Sequence, residues 1–280
     1  MTGPEKDLSF RAFEHEAWER VVSVYHTGFG ELTSQTIEPL LDAAEVTEGV
    51  QVLDVASGPG YMAAAAAARG AHVIGVDFSD AMVKEARRRY PEVEYRAGDA
   101  EELSFPDARF DSLVMNFGLL HLERPERALG EAHRVLRPKG RVAFTVWDDP
   151  SVAVGFQIVL DAIEKWGDLN VLLPPGPPFF RYRDPEEARK ALVEAEFENP
   201  ERVELRLVWR VPSPEAPFEF MLGGTARTGG LLRAQTPKAL EAIRQAVREE
   251  TSPYQVGGTW EIPMQAVVYS AKSMPGHVDE

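Results

Sequence analysis

The chain has no cysteine among its 280 residues. That absence excludes a disulfide framework, thiolate metal sites and a cysteine nucleophile together. Long apolar runs are missing too; none approaches the length that spans a bilayer, so no membrane partner is expected. The N-terminal Met-Thr-Gly-Pro-Glu-Lys-Asp carries no apolar signal region, and a cytoplasmic protein is expected. Basic charge is scarce: 30 Lys and Arg against 45 Asp and Glu leave a net charge of −15. A polyanion needs a concentrated basic face, so nucleic acid is not an expected partner. Arg87-Arg88-Arg89 reads instead as a solvated helix end, favoured there by the helix dipole. No histidine falls at ligand spacing with carboxylates, so no metal is expected. Small-molecule ligands are what this composition leaves.

What is present is concentrated in Val52-Leu-Asp-Val-Ala-Ser-Gly-Pro-Gly-Tyr61. Val50, Val52, Leu53 and Val55 suit a strand covered on both faces, as in a parallel α/β sheet. Gly58 and Gly60 let the backbone turn and approach a ligand with no Cβ in the way. Met62 to Ala68 is almost pure alanine, the best helix former. A strand, a glycine turn and a helix start in series make a nucleotide-type site at a sheet's carboxyl edge.

Two readings of that site compete. Gly58-Pro-Gly60-Tyr-Met-Ala63 fits the dinucleotide pattern G-x-G-x-x-A, and Asp77 lies where a ribose-binding acid would fall. Asp54, at the strand end directly before the turn, discriminates. A carboxylate there would repel a pyrophosphate but not a ligand carrying an ammonium and a sulfonium. Asp54-Val-Ala-Ser-Gly58-Pro-Gly60 resembles motif I of the class I S-adenosylmethionine-dependent methyltransferases, with Ala56 in place of the usual first glycine. The pattern continues through Ala71 to Met82, Val93 to Ala100 and the strand Ser112 to Asn116. It ends at Arg134-Val-Leu-Arg-Pro-Lys-Gly140 before the strand Arg141 to Trp147. It is most similar to the subset that includes ubiquinone- and menaquinone-biosynthesis methyltransferases.

The resemblance implies an α/β fold: a seven-stranded doubly wound Rossmann-like sheet, its last strand antiparallel beside strand five, with an α-helical lid. It implies S-adenosylmethionine as cofactor, held by the loop residues Asp54, Ala56, Ser57, Gly58 and Gly60. Asp77 would grip both ribose hydroxyls, and a carboxylate is an acceptor-only fork suited to two vicinal donors. Phe78 would pack on the adenine, Asp99 would accept from its exocyclic amine, and the Ala100 N–H would meet a ring nitrogen. Met82, Asn116 and Phe117 complete the expected cofactor set. Tyr25 is the candidate for the methionine carboxylate, ahead of Thr33 and Gln35. Ser79 is the expected N-cap of the helix that carries Met82.

Three regions follow: N-terminal cap helices over 1–45, the cofactor-binding core over 46–150, and 151–280. In the last, strands over Val203 to Val211 and Thr259 to Ser270 complete the sheet, and 151–183 with 214–256 form an acceptor lid. Within that lid, Leu172 to Arg183 is proline- and aromatic-rich, and Gly223 to Gly230 reads as a turn. Helical spacing over Phe10 to Ala44 is interrupted at Tyr25-His-Thr-Gly-Phe-Gly30, and Trp18 is expected to pack a cap helix onto the sheet. Methyl transfer mostly needs an acceptor positioned and water excluded. His121, just past strand four, is the candidate general base; with no carboxylate in the sequence arranged to orient it, it is expected to line or hydrogen-bond in the cofactor pocket instead. His133 is expected to be structural. The expected partner is a small-molecule methyl acceptor, with a homodimer left open. A nucleotide-dependent oxidoreductase, or a regulatory protein that keeps the pocket without the chemistry, are the alternatives.

Overall fold

The computed structural model describes residues 9–275. The first described element is α1 (Phe10–Tyr25), where the Ser9 hydroxyl accepts from the Ala12 N–H and caps the first turn. The expected interruption at Tyr25 is instead a single π turn, His26–Gly30, that runs on into α2 (Glu31–Ser34). Glycines make the widened turn possible. A Cβ on Gly28 would lie 3.0 Å from the Phe220 ring, and one on Gly30 would lie 3.0 Å from the Tyr61 hydroxyl. Trp209 then fastens the turn, donating its indole N–H to the Gly28 carbonyl at 2.8 Å and stacking on Phe29.

After α3 (Ile37–Ala43) comes the alternating core. It consists of β1 (Gln51–Val55), α4 (Tyr61–Ala68), β2 (His72–Asp77), α5 (Asp80–Arg89) and β3 (Glu94–Ala97). Then follow β4 (Phe110–Asn116), α6 (Pro125–Val135) and β5 (Leu136–Trp147). Ser79 caps α5 as expected, accepting from the Met82 N–H at 3.1 Å. The second half contributes α7 (Val154–Trp166), α8 (Pro185–Glu194), β6 (Phe197–Val211), α9 (Ala216–Gly224) and α10 (Arg227–Arg233). It closes with α11 (Pro237–Thr251), the two-residue β7 (Gln255–Val256) and β8 (Thr259–Ser273). The turn expected over Gly223 to Gly230 is therefore mostly helix, broken only at Thr225-Ala226. Gly229 and Gly230 fit inside α10 because Met221, Phe13 and Leu173 press against the positions a Cβ would take.

The sheet runs β3-β2-β1-β4-β5-β8-β6, with β8 antiparallel to both neighbours and β7 paired to its edge. Seven strands form the main path as expected; β7 is an eighth that the sequence pattern does not show. Val52, Leu53 and Val55 of β1 are fully buried between its two parallel neighbours. On one face Leu40, Leu41, Met62 and Ala66 pack against Val52 and Val114. The alanine run lets α4 lie close: Ala63 and Ala66 have no exposed surface. On the other face Leu53, Leu113 and Phe144 meet α6 and α7 through Leu129 and Val159. Among the described residues no helix is long and apolar enough to cross a membrane.

Strand order reverses between β1 and β4, since β2 and β3 lie to one side and β5 to the other. In open α/β sheets ligands sit in the crevice beyond the strands' carboxyl ends at such a switch point. The fold therefore fixes where the site must be.

Candidate functional site

A pocket opens at this switch point. Its floor is built from strand ends: Ala56 and Gly58 after β1, Asp77 and Phe78 after β2, Asp99 and Ala100 after β3, Asn116 and Phe117 after β4. Two non-glycine residues among these are held in left-handed backbone, Ala56 at φ 55° and Phe117 at φ 55°. Such conformations cost about 1–2 kcal/mol for a residue with a Cβ and gather at ligand sites. Ala56 thus adopts the glycine-like conformation of the position it occupies. Gly58, at φ +51°, has open space where a Cβ would stand, so its backbone faces the pocket bare. Gly60, at φ +90°, is needed for another reason: a Cβ there would lie 2.5 Å from the Tyr95 hydroxyl.

The acids at the floor are electrostatically costly. Asp77 is buried and accepts from the Gly58 N–H at 2.8 Å and the Ser79 N–H at 2.9 Å. Burial nevertheless pushes its carboxyl up to about 6, against those two hydrogen bonds. Asp54 lies deeper, and neither of its oxygens meets a hydrogen-bond partner of normal geometry. Burial, and then repulsion from Asp77, hold it well above the ordinary carboxylate range. Two buried carboxyls with so little compensation suit a cation arriving from outside. Tyr25 reaches the same pocket from α1, its hydroxyl 3.2 Å from Thr33 Oγ1 and its acidity weakened to about 12 by burial.

Residues 53–144 match the family described as a methyltransferase domain. Over that stretch the core of this chain is similar to a methyltransferase domain. It is similar to the demethylmenaquinone methyltransferase of Clavibacter sepedonicus, 38% identical over 121 residues, covering 41% of this chain and 49% of that one. The chain thus spans about half the length of such curated relatives. In fold it resembles the YcgJ protein of Bacillus subtilis, with a TM-score of 0.57, 18% identity, 86% of this chain and 99% of that one. It also resembles a Haemonchus contortus phosphoethanolamine N-methyltransferase bound to phosphomonomethylethanolamine and S-adenosylhomocysteine. There the TM-score is 0.56 and the identity 18%, over 95% of this chain and 60% of that one.

The pocket gathers most of the side chains expected from the sequence. Tyr25, Ala56, Gly58, Asp77, Phe78, Met82, Asp99, Ala100, Asn116, Phe117 and His121 all line the one pocket. Asp54, Ser57 and Gly60 do not form its wall. Asp54 is set behind it, Ser57 spends its N–H on the Val76 carbonyl at 3.0 Å, and Gly60 packs under Tyr95. Asp99 is ion-paired with Arg11 of α1 at 2.5 Å. Asn116 is spoken for: its amide donates to the Thr33 carbonyl, and its Oδ1 accepts from Thr36 and Thr145. Thr33 lines the pocket, whereas Gln35 pairs with the Val208 backbone in both directions and stands away from it. His133, set apart, has its Nε2 3.3 Å from the Met274 carbonyl oxygen.

One reading of the sequence is overturned. His121 has a carboxylate partner: its Nδ1 lies 3.0 Å from Oε2 of Glu14, which has no exposed surface. Glu14 stands 107 residues earlier, on α1, so no local spacing could reveal it. Arg227 of α10 donates to the other Glu14 oxygen at 3.1 Å and lies over the Phe10 ring. Burial pulls Arg227 below the usual arginine range, and Glu14 opposes that pull. Trp18 is also not mere cap packing. It lines the pocket, gives its indole N–H to Glu14 at 3.2 Å and meets His121 edge-on at 4.8 Å. Part of the remaining wall is aromatic: Trp147 stacked on Phe117 at 4.1 Å, with Phe156 and Phe179 beyond. Among the described residues no three metal-type side chains cluster.

Proposed function

We propose that the protein is an S-adenosylmethionine-dependent methyltransferase that transfers a methyl group to an oxygen, nitrogen or carbon of a small, partly apolar molecule. The observation that carries this reading is the buried pair Asp54 and Asp77, one of them unbonded, behind a glycine turn. A dinucleotide pyrophosphate would add negative charge beside two carboxyls already under strain, whereas an ammonium and a sulfonium relieve them. The residues present therefore fit the cofactor. Asp77 would accept from the ribose hydroxyls, and Phe78, Asp99 and Ala100 would hold the adenine. Tyr25 and the turn Ala56-Ser57-Gly58 would hold the methionine end. The cofactor would supply a methyl group already activated by its positive sulfur.

The protein's share is placement and dryness. Helices α1, α9 and α10 roof the pocket, and Trp147, Phe156 and Phe179 give its outer half apolar walls. Aromatic walls of that kind suit a flat ring, and the names of the curated relatives make a quinone-type ring the first acceptor to try. We read 151–183 and 214–256 as the lid that selects it. The test uses cofactor with an isotopically labelled methyl group and a panel of ring hydroxyls, amines and activated carbons. Label appearing on one class supports transferase activity. Cofactor bound with label on none of them would favour a non-catalytic binding protein.

A further inference from the structure

We propose that Glu14 is the positioning residue that makes His121 a proton acceptor, and that Arg227 ties this arrangement to the lid. The inference rests on the methyl-transfer reading and narrows its acceptor to a molecule whose attacking atom carries an ionisable hydroxyl proton.

Each atom of the Glu14 carboxylate is assigned. Oε1 takes the Nε–H of Arg227; Oε2 takes the indole N–H of Trp18 and faces Nδ1 of His121. A carboxylate only accepts, so in the neutral ring Nδ1 carries the imidazole proton and Nε2 presents its lone pair. Among the described residues Nε2 has no hydrogen-bond partner, while the ring lines the pocket. Trp18 and Phe179 meet the ring edge-on at 4.8 Å and 5.7 Å and limit its rotation. Arg227 anchors the carboxylate from the lid side. It also donates to the carbonyls of Leu120, beside His121, and of Pro177, in the proline-rich loop. One guanidinium thus joins α1, the loop after β4, α10 and that loop.

The charged groups facing His121 are Glu14 from α1, Arg227 from α10 and Asp77 from the end of β2. Glu14 alone touches the ring. A buried pair with no other assignment could be pure architecture. What sets this one apart is that its carboxylate dictates the tautomer of a pocket-facing imidazole. In the step this permits, the acceptor hydroxyl gives its proton to Nε2 of His121 and its oxygen bonds to the methyl carbon. The sulfur–methyl bond breaks with its electron pair left on sulfur, and no other reactant is needed.

The test compares wild type with Glu14→Gln and with the double variant Glu14→Gln/Arg227→Met. The double variant removes both members of the buried pair, so neither is left alone if the single change does not fold. Long-range proton–nitrogen NMR of the unliganded chain reads the His121 tautomer, cofactor affinity is measured by calorimetry, and turnover on a ring-hydroxyl acceptor is split into kcat and KM. Wild type should show the Nδ1–H form. Either folded variant should show a mixture and lose at least about tenfold in kcat, and Glu14→Gln should keep KM and cofactor affinity within about twofold. A folded variant with the wild-type tautomer and unchanged kcat would overturn the positioning role. If wild type binds no cofactor, the functional reading fails instead, and the tautomer measurement still decides the role of Glu14.

Discussion

Cofactor affinity should depend on pH through Asp77. Its carboxyl is pushed up to about 6 from an ordinary value of 3.8, chiefly by burial. The sign follows directly. A raised folded value means that the ionised group costs the unliganded fold stability above that pH, by about 3 kcal/mol at about 1.4 kcal/mol per unit. The cost fades as pH falls toward the unfolded value. Two ribose hydroxyls donating to the same carboxylate would stabilise its ionised form, so binding should select that form and expel the proton. At pH 5 only about a tenth of Asp77 would be ionised, and affinity for S-adenosylhomocysteine should be about tenfold weaker than at pH 8. Near pH 6, calorimetry in buffers of different ionisation enthalpy should report release of roughly half a proton. Asp77→Asn should bind more weakly at pH 8 and lose the slope. A flat profile in wild type would refute the reasoning. So would a slope that survives Asp77→Asn and vanishes in Asp54→Asn, since that would put the titrating group one strand away.

Other perturbations test separate parts of the site. His121→Ala should lower kcat by about 10²–10⁴-fold with cofactor affinity nearly intact, and should remove any rise of the rate with pH; a surviving rise would assign that proton to another group. Replacing Phe179 and Phe180 with alanine should raise acceptor KM and spare the cofactor, because Phe179 lines the outer pocket and packs on Phe156 and Phe180. Gly60→Ala should destabilise the fold by more than about 1 kcal/mol in chemical denaturation. Its Cβ would need both a left-handed backbone and the space of the Tyr95 hydroxyl. Tyr95→Phe should restore part of that loss. Ala56→Gly should do the reverse, stabilising by up to about 1 kcal/mol, since it relieves the left-handed alanine at some entropic cost.

The parts of the site that were legible in the sequence are those built by neighbours in the chain. Asp54, Gly58, Asp77 and Asp99 each sit at the end of an apolar strand, and parallel pairing brings consecutive strand ends to one edge. Strand order and the antiparallel last strand followed from what the family resemblance implies about the fold. Glu14, Arg227, Trp147 and Phe156 were not legible as site residues, because their roles arise from contacts across the fold. Glu14 in particular sits on a helix among other acids, and only its zero exposure and its three donors set it apart. Helical stretches with glycine misled for a local reason. Gly28 and Gly30 in the π turn, and Gly229 and Gly230 in α10, are there to admit neighbouring side chains rather than to end a helix. The two-residue β7 is too short to leave a periodic signal.

The central claim is that the switch-point pocket takes S-adenosylmethionine rather than a dinucleotide. Its most direct test is a pair of calorimetric titrations of the whole chain at pH 8, one with S-adenosylhomocysteine and one with NAD, repeated on Asp77→Ala. The account predicts one-to-one binding of S-adenosylhomocysteine, weakened at least about tenfold by the substitution, and no comparable binding of NAD. Binding of NAD with S-adenosylhomocysteine inert would contradict it.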